Sequence, residues 1–448
     1  MSEHFELNFV GKKAARELAD TAAQTLLSVK DAQHAQQTGM SVLQNHFIEG
    51  DNLEVLKLLQ PIYTNKIDTI YIDPPYNSGN QNFVYADNFI NKNNQNEAKD
   101  NQSEFYKNLI ISGQRHSDWL VMIYPRLILA QRLLKKTGVI FVSIDEREVA
   151  HLKLLMDEIF GEENFIDLFC WAKTETPANL SRKSKKVIEY ILCYQKKRDK
   201  TKFAGIKKTS KSTNGLLNQT NRLNTLIFPE NVVQTKLADG KIAAGMYGTN
   251  RYEIELLADT EVRDKIFIQP VYLRAKFKWT QPKLDAEIAR GTELFIISKT
   301  FSPAYEKQNY AAEVPPNLIN MKVGVATNEV ASKNLTDLLG AKVFDYPKPV
   351  SLLKYLLGFN DHKDGLCLDF FAGSGTLAQA VWEMNRVDEG NRKWICVQRP
   401  DACPVGSVAE KNGFSTIADI ALKRIEKVRK SDEYFTHWET LKAEPSTV

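Results

Sequence analysis

Apolar positions along this chain come in two rhythms, short continuous runs and longer stretches spaced at three and four, and their alternation begins at residue 45. Residues 47–49 read as a short strand ending in Gly50-Asp51-Asn52, Leu53, Leu56 and Leu59 mark one face of a helix, and residues 67–72 form a buried strand. This is a βαβ unit. Asp118 then caps a helix that runs to Leu134 and stops near Gly138, followed by a strand at 139–144. A second amphipathic helix at 146–160 carries Leu152, Leu155, Met156 and Ile159 on one face. Residues 165–172 and 187–194 read as paired strands, an antiparallel edge on a mainly parallel sheet.

Periodicity lapses over 200–335 and then resumes, with a helix at 350–357, a strand at 366–371, a helix at 377–385, a strand at 394–398 and a last helix at 415–430. The βα pattern brackets the lapse, so the two ends of the sequence are expected to complete one sheet. The fold class is α/β: a Rossmann-like, mainly parallel sheet with helices on both faces, plus an inserted irregular α+β domain. Four segments follow: a helical arm at 1–44, a first half of the sheet at 45–199, the insert at 200–335, and a second half with a C-terminal helix at 336–448. Residues 77–114 are polar, crowded with Asn, and carry Phe83, Tyr85, Phe89 and Phe105. A loop of that length suits a gate over a binding site.

Charge adds one local feature. The net charge of +4 over 448 residues decides nothing, but residues 173–211 hold 13 Lys or Arg against Glu175, Glu189 and Asp199, an excess of 13 − 3 = +10. Such a run reads either as a nucleic-acid surface or as a solvated face. The five cysteines are odd in number, scattered and mostly set in apolar runs, which suits a reducing, cytoplasmic setting. None has CxxC or Cys/His zinc spacing and the seven histidines form no HExxH, so no metal is expected. No run approaches the ~18 apolar residues of a membrane span, so no membrane partner is expected.

Two strand-ending turns carry the chemistry. In Asp369-Phe370-Phe371-Ala372-Gly373-Ser374-Gly375 the strand runs into glycines that admit a ligand to the backbone and allow a tight turn into a helix. Position 378, where a dinucleotide fingerprint has its third glycine, is Ala, an accepted variant. The carboxylate of Asp369 beside the turn repels pyrophosphate and suits a ligand with ammonium and sulfonium charges, such as S-adenosylmethionine. In Asp73-Pro74-Pro75-Tyr76 two prolines fix a rigid, extended turn at the end of a buried strand. An exocyclic amine on a base is a poor nucleophile, because its lone pair is delocalised into the ring. A carboxylate and a fixed carbonyl that accept its two N–H protons draw that nitrogen toward tetrahedral geometry, and Tyr76 offers a stacking face. A target amine inside a duplex must first be swung out.

These motifs, in this order, resemble the β group of amino methyltransferases. Ile48 through Leu53, Tyr71 through Gly79, Asp118-Trp119, Tyr124 through Leu127, Gly138 through Glu146, Leu154 through Phe165, Tyr346 through Pro349 and Asp369 through Thr376 together resemble the modification subunit of type III restriction-modification systems. The resemblance implies that the insert is the target-recognition domain and that Asp73, Pro74, Pro75 and Tyr76 are the catalytic turn. It also implies that Asp369, Phe371, Ala372, Gly373 and Gly375 line an S-adenosylmethionine site, that Asp51 and Asn52 touch the cofactor's adenine side, and that Lys348 and Pro349 close over its methionine end. Asp51-Asn52 as a helix cap and Lys348-Pro349 as a helix start are the plainer readings. Gln398 ends the strand whose tip ordinarily carries an acidic ribose ligand, with Asp401 close behind as a substitute. The chain is shorter than typical members. The reaction implied is methyl transfer to adenine N6 in double-stranded DNA, with N4-cytosine methylation and a non-catalytic recognition subunit as rivals. No GxxxxGK[ST] loop is present, so a restriction subunit would be a separate chain, and a homodimer is the other assembly implied.

Overall fold

The computed structural model describes residues 6–31, 40–78, 114–177, 183–205, 214–307, 313–360 and 362–442. The chain divides into two compact units, one made of Met1–Gly205 with Val314–Val448 and one of Ile206–Glu313.

The first unit is built on a ten-stranded sheet. Its strands are β1 (Thr25–Asp31), β2 (His46–Glu49), β3 (Ile67–Ile72), β4 (Leu134–Ile144), β5 (Phe165–Ala172), β6 (Ile188–Gln195), β7 (Leu318–Ile319), β8 (Leu366–Asp369), β9 (Lys393–Gln398) and β10 (Thr436–Lys442). They lie in the order β1, β10, β2, β9, β8, β3, β4, β6, β5, β7. From β10 to β4 every neighbour is parallel. β1 and β6 run against their neighbours, and β7 lies parallel to β5.

Side chains on a strand alternate between faces, and here that alternation feeds two apolar layers. Ile48, Ile70, Ile72, Ile140, Val142, Leu368, Ile395 and Val397 pack on one face with helices α2 (Asn52–Tyr63), α3 (Gln114–Leu133) and α4 (Val149–Phe160). Phe47, Tyr71, Val139, Phe141, Cys367, Trp394 and Cys396 pack on the other. There they meet three more helices, which we number α6 (Val350–Leu357), α7 (Thr376–Asp388) and α9 (Ile417–Val428), after α5 (Asn328–Leu339) and with the short α8 (Val408–Lys411) before the last. Burial on both faces is why these strands read as near-continuous apolar runs. Asp51 caps α2 by accepting from Leu53 N–H, and Thr416 and Asp419 form a capping box at α9.

Several sequence expectations need correction. Among the described residues of the arm at 1–44, helix is confined to α1 (Lys12–Leu18). Residues 25–31 form edge strand β1 against β10, with Leu27 and Val29 turned to the core and Leu26 60% exposed. That period of two is hidden in a short segment flanked by helix formers. Asp118 does not start a helix, since the chain is already helical at Gln114, where the Gln114 amide donates to Asp118. β4 starts at Leu134, directly after α3, and β10 was not anticipated. Residues 314–335 belong to the first unit, where Leu318 and Ile319 pair with β5 and α5 packs on α9. The gate expected at 77–114 lies mostly outside the described residues.

The second unit is richer in strands than an irregular α+β domain. Among the described residues it holds a seven-stranded and a four-stranded sheet, mostly antiparallel, and one helix, Gln281–Ala289. Leu226, Phe228, Phe267, Leu273 and Leu294 are among its buried core. Its strands are two to five residues long, which is why they leave so little period in the sequence.

Candidate active site

Strands β3 and β8 are parallel neighbours, with Ile70 opposite Leu368, so the turns that follow them emerge side by side at the carboxyl edge of the sheet. Between them opens a cleft of about 840 Å³. Asp73, Pro74, Pro75, Tyr76, Lys348, Asp369, Phe371, Ala372 and Gly373 all line it. Asp51, Asn52, Pro349, Gly375 and Gln398 do not.

Asp73 stands at the centre of a charged network. Its Oδ1 accepts from the Tyr76 hydroxyl at 2.7 Å and its Oδ2 from Lys348 Nζ at 2.7 Å. The same ammonium lies 3.3 Å from Glu189 Oε2 and 5.2 Å from the centre of the Tyr76 ring. Tyr76 reaches Glu189 as well, at 3.1 Å, and Lys173 pairs with the other Glu189 oxygen at 3.3 Å. Burial raises the Asp73 carboxyl above its ordinary value of 3.8, while the Lys348 charge pulls it back down. The side chain keeps 27% of its surface open to the cleft, so a ligand can reach it. The Pro75 carbonyl is taken by the indole N–H of buried Trp119 at 2.7 Å, which pins the double-proline turn to α3.

The glycine turn is equally braced. Gly373 and Gly375 have φ of +54° and +77°, a region that L side chains enter only at a cost. Asp369 accepts from the Phe371 N–H at 2.9 Å, and burial pushes its carboxyl well above the usual range. Arg424 on α9 donates to the hydroxyls of Ser374 and Thr376, both at 2.8 Å, and to Gln379 at 2.9 Å. Burial brings its guanidinium down to about 10.

Of the remaining expected residues, Gln398, Asp51, Asn52 and Pro349 lie outside the cleft lining. Gln398 is 1% exposed; its Oε1 accepts from Gly373 N–H at 2.8 Å and its Nε2 donates to the Arg399 carbonyl, so it braces the turn instead of facing a ribose. Asp51 is the cap of α2, as its plainer reading had it, and Asn52 donates to the Phe370 carbonyl at 2.8 Å while accepting from Arg126. Pro349 precedes the first turn of α6. Lys348 lines the cleft, but its ammonium is committed to Asp73 and Glu189. Glu189, Trp119, Arg424 and the cleft-lining pair Asp145 and Arg147 were missed as site residues. Glu189 stood in the sequence only as a counter-charge in a basic run, and nothing linear marks Arg424 among the charges of an amphipathic helix. The fold also gathers His116, Glu148 and His151, a potential ligand set that linear spacing does not reveal, against the expectation of no metal-ligating cluster. The basic run flanks the cleft mouth, where Lys173, Lys185 and Lys186 line its wall.

Comparison with known proteins agrees with this geometry. A family model described as DNA methylase matches residues 67–399. The Mod subunit of the type III restriction-modification enzyme StyLTI from Salmonella typhimurium is 34% identical over 434 residues, 96% of this chain and 63% of that protein. The EcoPI Mod subunit from Escherichia phage P1 is 34% identical over 454 residues, 96% of this chain and 68% of its own. The type II methyltransferase M.KpnI from Klebsiella pneumoniae is 29% identical over 391 residues, 85% of this chain and 86% of that one. The chain thus spans about two thirds of the two Mod subunits. Among solved structures, an M1.HpyAVI–SAM complex aligns over 85% of this chain and 98% of its own at 12% identity and a TM-score of 0.36, too loose a likeness to transfer residues.

The brace predicts that Gly375→Ala destabilises the first unit. An added Cβ would sit at φ +77°, 3.2 Å from the Ala421 carbonyl and 3.3 Å from Ile425, a loss of ~1–3 kcal/mol. Urea unfolding followed by Trp fluorescence measures it, and an unchanged midpoint contradicts the turn described.

Proposed function

We propose a reaction for this chain, which belongs to the DNA methylase family: transfer of a methyl group from S-adenosylmethionine to the N6 amine of adenine in double-stranded DNA. The observation that carries it is the shared cleft, with a carboxylate turn suited to an amine on one wall and a glycine turn beside a buried carboxylate on the other. The residues fit such a cofactor. Asp369, whose carboxyl burial holds above the usual range, is drawn toward its ionised form by the ammonium and sulfonium of such a ligand, Gly373 admits it to the backbone, and Phe371 gives an apolar wall. When bound, S-adenosylmethionine supplies a methyl group activated by a positively charged sulfur.

The chain's own residues prepare the nucleophile. The Asp73 carboxylate and the Pro74 carbonyl accept the two amine N–H bonds, which turns the nitrogen lone pair out of the ring. Ionised carboxylates have room for about four hydrogen bonds, so the two from Tyr76 and Lys348 leave Asp73 capacity for a third. The Asp73 carboxyl, raised by burial, is also a base for the proton that the nitrogen sheds. Tyr76, held by Asp73 and Glu189, presents a ring against which an extruded base stacks, worth ~1–3 kcal/mol.

Substrate and partners follow from the same reading. Lys173, Lys185 and Lys186 at the cleft mouth suit DNA phosphates, and the strand-rich second unit suits target recognition. The relatives' names as Mod subunits support a separate restriction chain as partner; a second copy of this chain is a partner on family resemblance alone. Among the described residues no helix is long and apolar enough to cross a membrane, and a cytoplasmic location is the setting in which such a reaction meets DNA.

Asp73→Ala is expected to lower labelling of DNA from tritiated S-adenosylmethionine by ~100-fold or more while calorimetry shows cofactor binding near wild type. A comparable methylation rate would remove the carboxylate from the mechanism. Asp73 works ionised, and Lys348 is the charge that lowers its pKa, so Lys348→Met raises that pKa further. The acid limb of the single-turnover rate then moves to higher pH, and a limb that stays in place contradicts the pairing. Replacing Lys185 and Lys186 by Gln weakens DNA affinity and reduces the salt slope by about 0.9 for each phosphate no longer neutralised. An unchanged slope makes that wall plain solvated surface.

A further inference from the structure

Immediately after the catalytic turn the chain enters a second polar cluster that methyl transfer does not use. Asn77, at φ +58°, donates through Nδ2 to Glu148 Oε1 at 2.7 Å. Glu148 precedes α4 and is fully buried, yet among the described residues it pairs with no lysine or arginine. Its charge partners are two imidazoles. His116 Nδ1, from the first turn of α3, lies 2.7 Å from Oε1, and His151 Nδ1, one turn along α4, lies 2.9 Å from Oε2. One donor atom from each of the three side chains falls within 4.8 Å of the others.

A buried carboxylate without a full positive charge beside it is costly, and two nitrogen donors aimed at its two oxygens mark a place where a cation relieves that cost. The two rings lie 4.6 Å apart and keep 30% and 36% of their side-chain surface open, so an ion has both a way in and room for water in its remaining positions. We infer that His116, Glu148 and His151 form a binding site for a divalent transition-metal ion of the zinc class. Two imidazoles and one carboxylate match the preference of Zn²⁺ for nitrogen and oxygen donors at ~2.0–2.2 Å with an open position. The hydrogen-bonded pairs at 2.7 and 2.9 Å must spread by ~0.5 Å, and the widest pair of the set, within 4.8 Å, must close to surround such an ion, movements that rotations of two partly exposed rings supply. Each neutral imidazole would then present its Nδ1 lone pair to the ion and carry its one proton on Nε2. Asn77 is the supporting hydrogen bond that orients the carboxylate, and it ties the ion to the residue next to Tyr76. A bound ion would thereby fasten the exit of the catalytic turn, α3 and α4 to one point.

The test uses the untagged full chain, stripped with chelator and titrated with Co²⁺ alone. One Co²⁺ per chain is expected, with visible absorption bands of a nitrogen- and oxygen-coordinated ion that added Zn²⁺ abolishes. His116→Gln and His151→Gln, each confirmed folded by circular dichroism, should each weaken binding by at least the ~10–100-fold that removing even a supporting hydrogen bond costs. Absence of visible bands in the wild-type chain overturns the inference, and so does binding that both folded variants retain at wild-type strength. The cluster is then a hydrogen-bonded triad and nothing more. Were one variant to fail to fold, the other decides: binding weakened in it supports the site, and binding at wild-type strength overturns it.

Discussion

Everything at the candidate site follows from β3 and β8 being parallel neighbours in one sheet. Strands that meet this way, Ile70 against Leu368, deliver two carboxylates, Asp369 and, two residues further along in register, Asp73, to one edge of the sheet. Burial raises the proton affinity of both, and at Asp369 the Asp73 charge adds to it. Glu189 adds a third acidic side chain at this end of the cleft, beside Lys348 and Lys173, so three carboxyls stand against two ammoniums there. Such a floor disfavours phosphate and favours a ligand that brings its own positive charge. The Lys348 ammonium is what lets the arrangement persist without one, because it sits within 2.7 Å of Asp73 and 3.3 Å of Glu189.

Neither turn is held by its own sequence alone. Trp119 fixes the Pro75 carbonyl, Gln398 fixes the Gly373 N–H, Asn52 fixes the Phe370 carbonyl, and Arg424 ties Ser374 and Thr376 to the last helix. These four braces come from α3, β9, α2 and α9, so the cleft depends on helices from both faces of the sheet. Reactions that rest on positioning need such support, since an ångström of slack at the reacting nitrogen removes most of the advantage.

The sheet and the two turns were legible in the sequence for a physical reason. Buried parallel strands leave continuous apolar runs, and turns that need glycine or proline announce themselves by residue type. Ile67–Ile72, Val350–Leu357 and the run up to Asp369 were placed almost to the residue. What was missed depends on partners distant in the chain. β1 is the sheet's edge strand and β10 lies between it and β2, held by pairing that outweighs local preference, and Lys348 and Gln398 have partners 275 and 25 residues away. Glu189 looked like one acid in a basic run because its neighbours in sequence are not its neighbours in space. Glu148 and His151 stand one helical turn apart, but His116 lies 32 positions before Glu148, so the set of three leaves no linear signature. The short strands of the second unit, two to five residues each, hold too few periods to declare themselves.

The most direct measurement of the central claim is a crystal structure of the chain with an S-adenosylmethionine analogue that carries an amine where the sulfonium methyl stands. The account predicts the amino-acid end of that analogue against Asp369 and the Gly373 turn, with its substituted amine pointing across the cleft to within hydrogen-bond reach of the Asp73 carboxylate. An analogue bound elsewhere, or bound in the cleft with its amine turned away from Asp73, would contradict it.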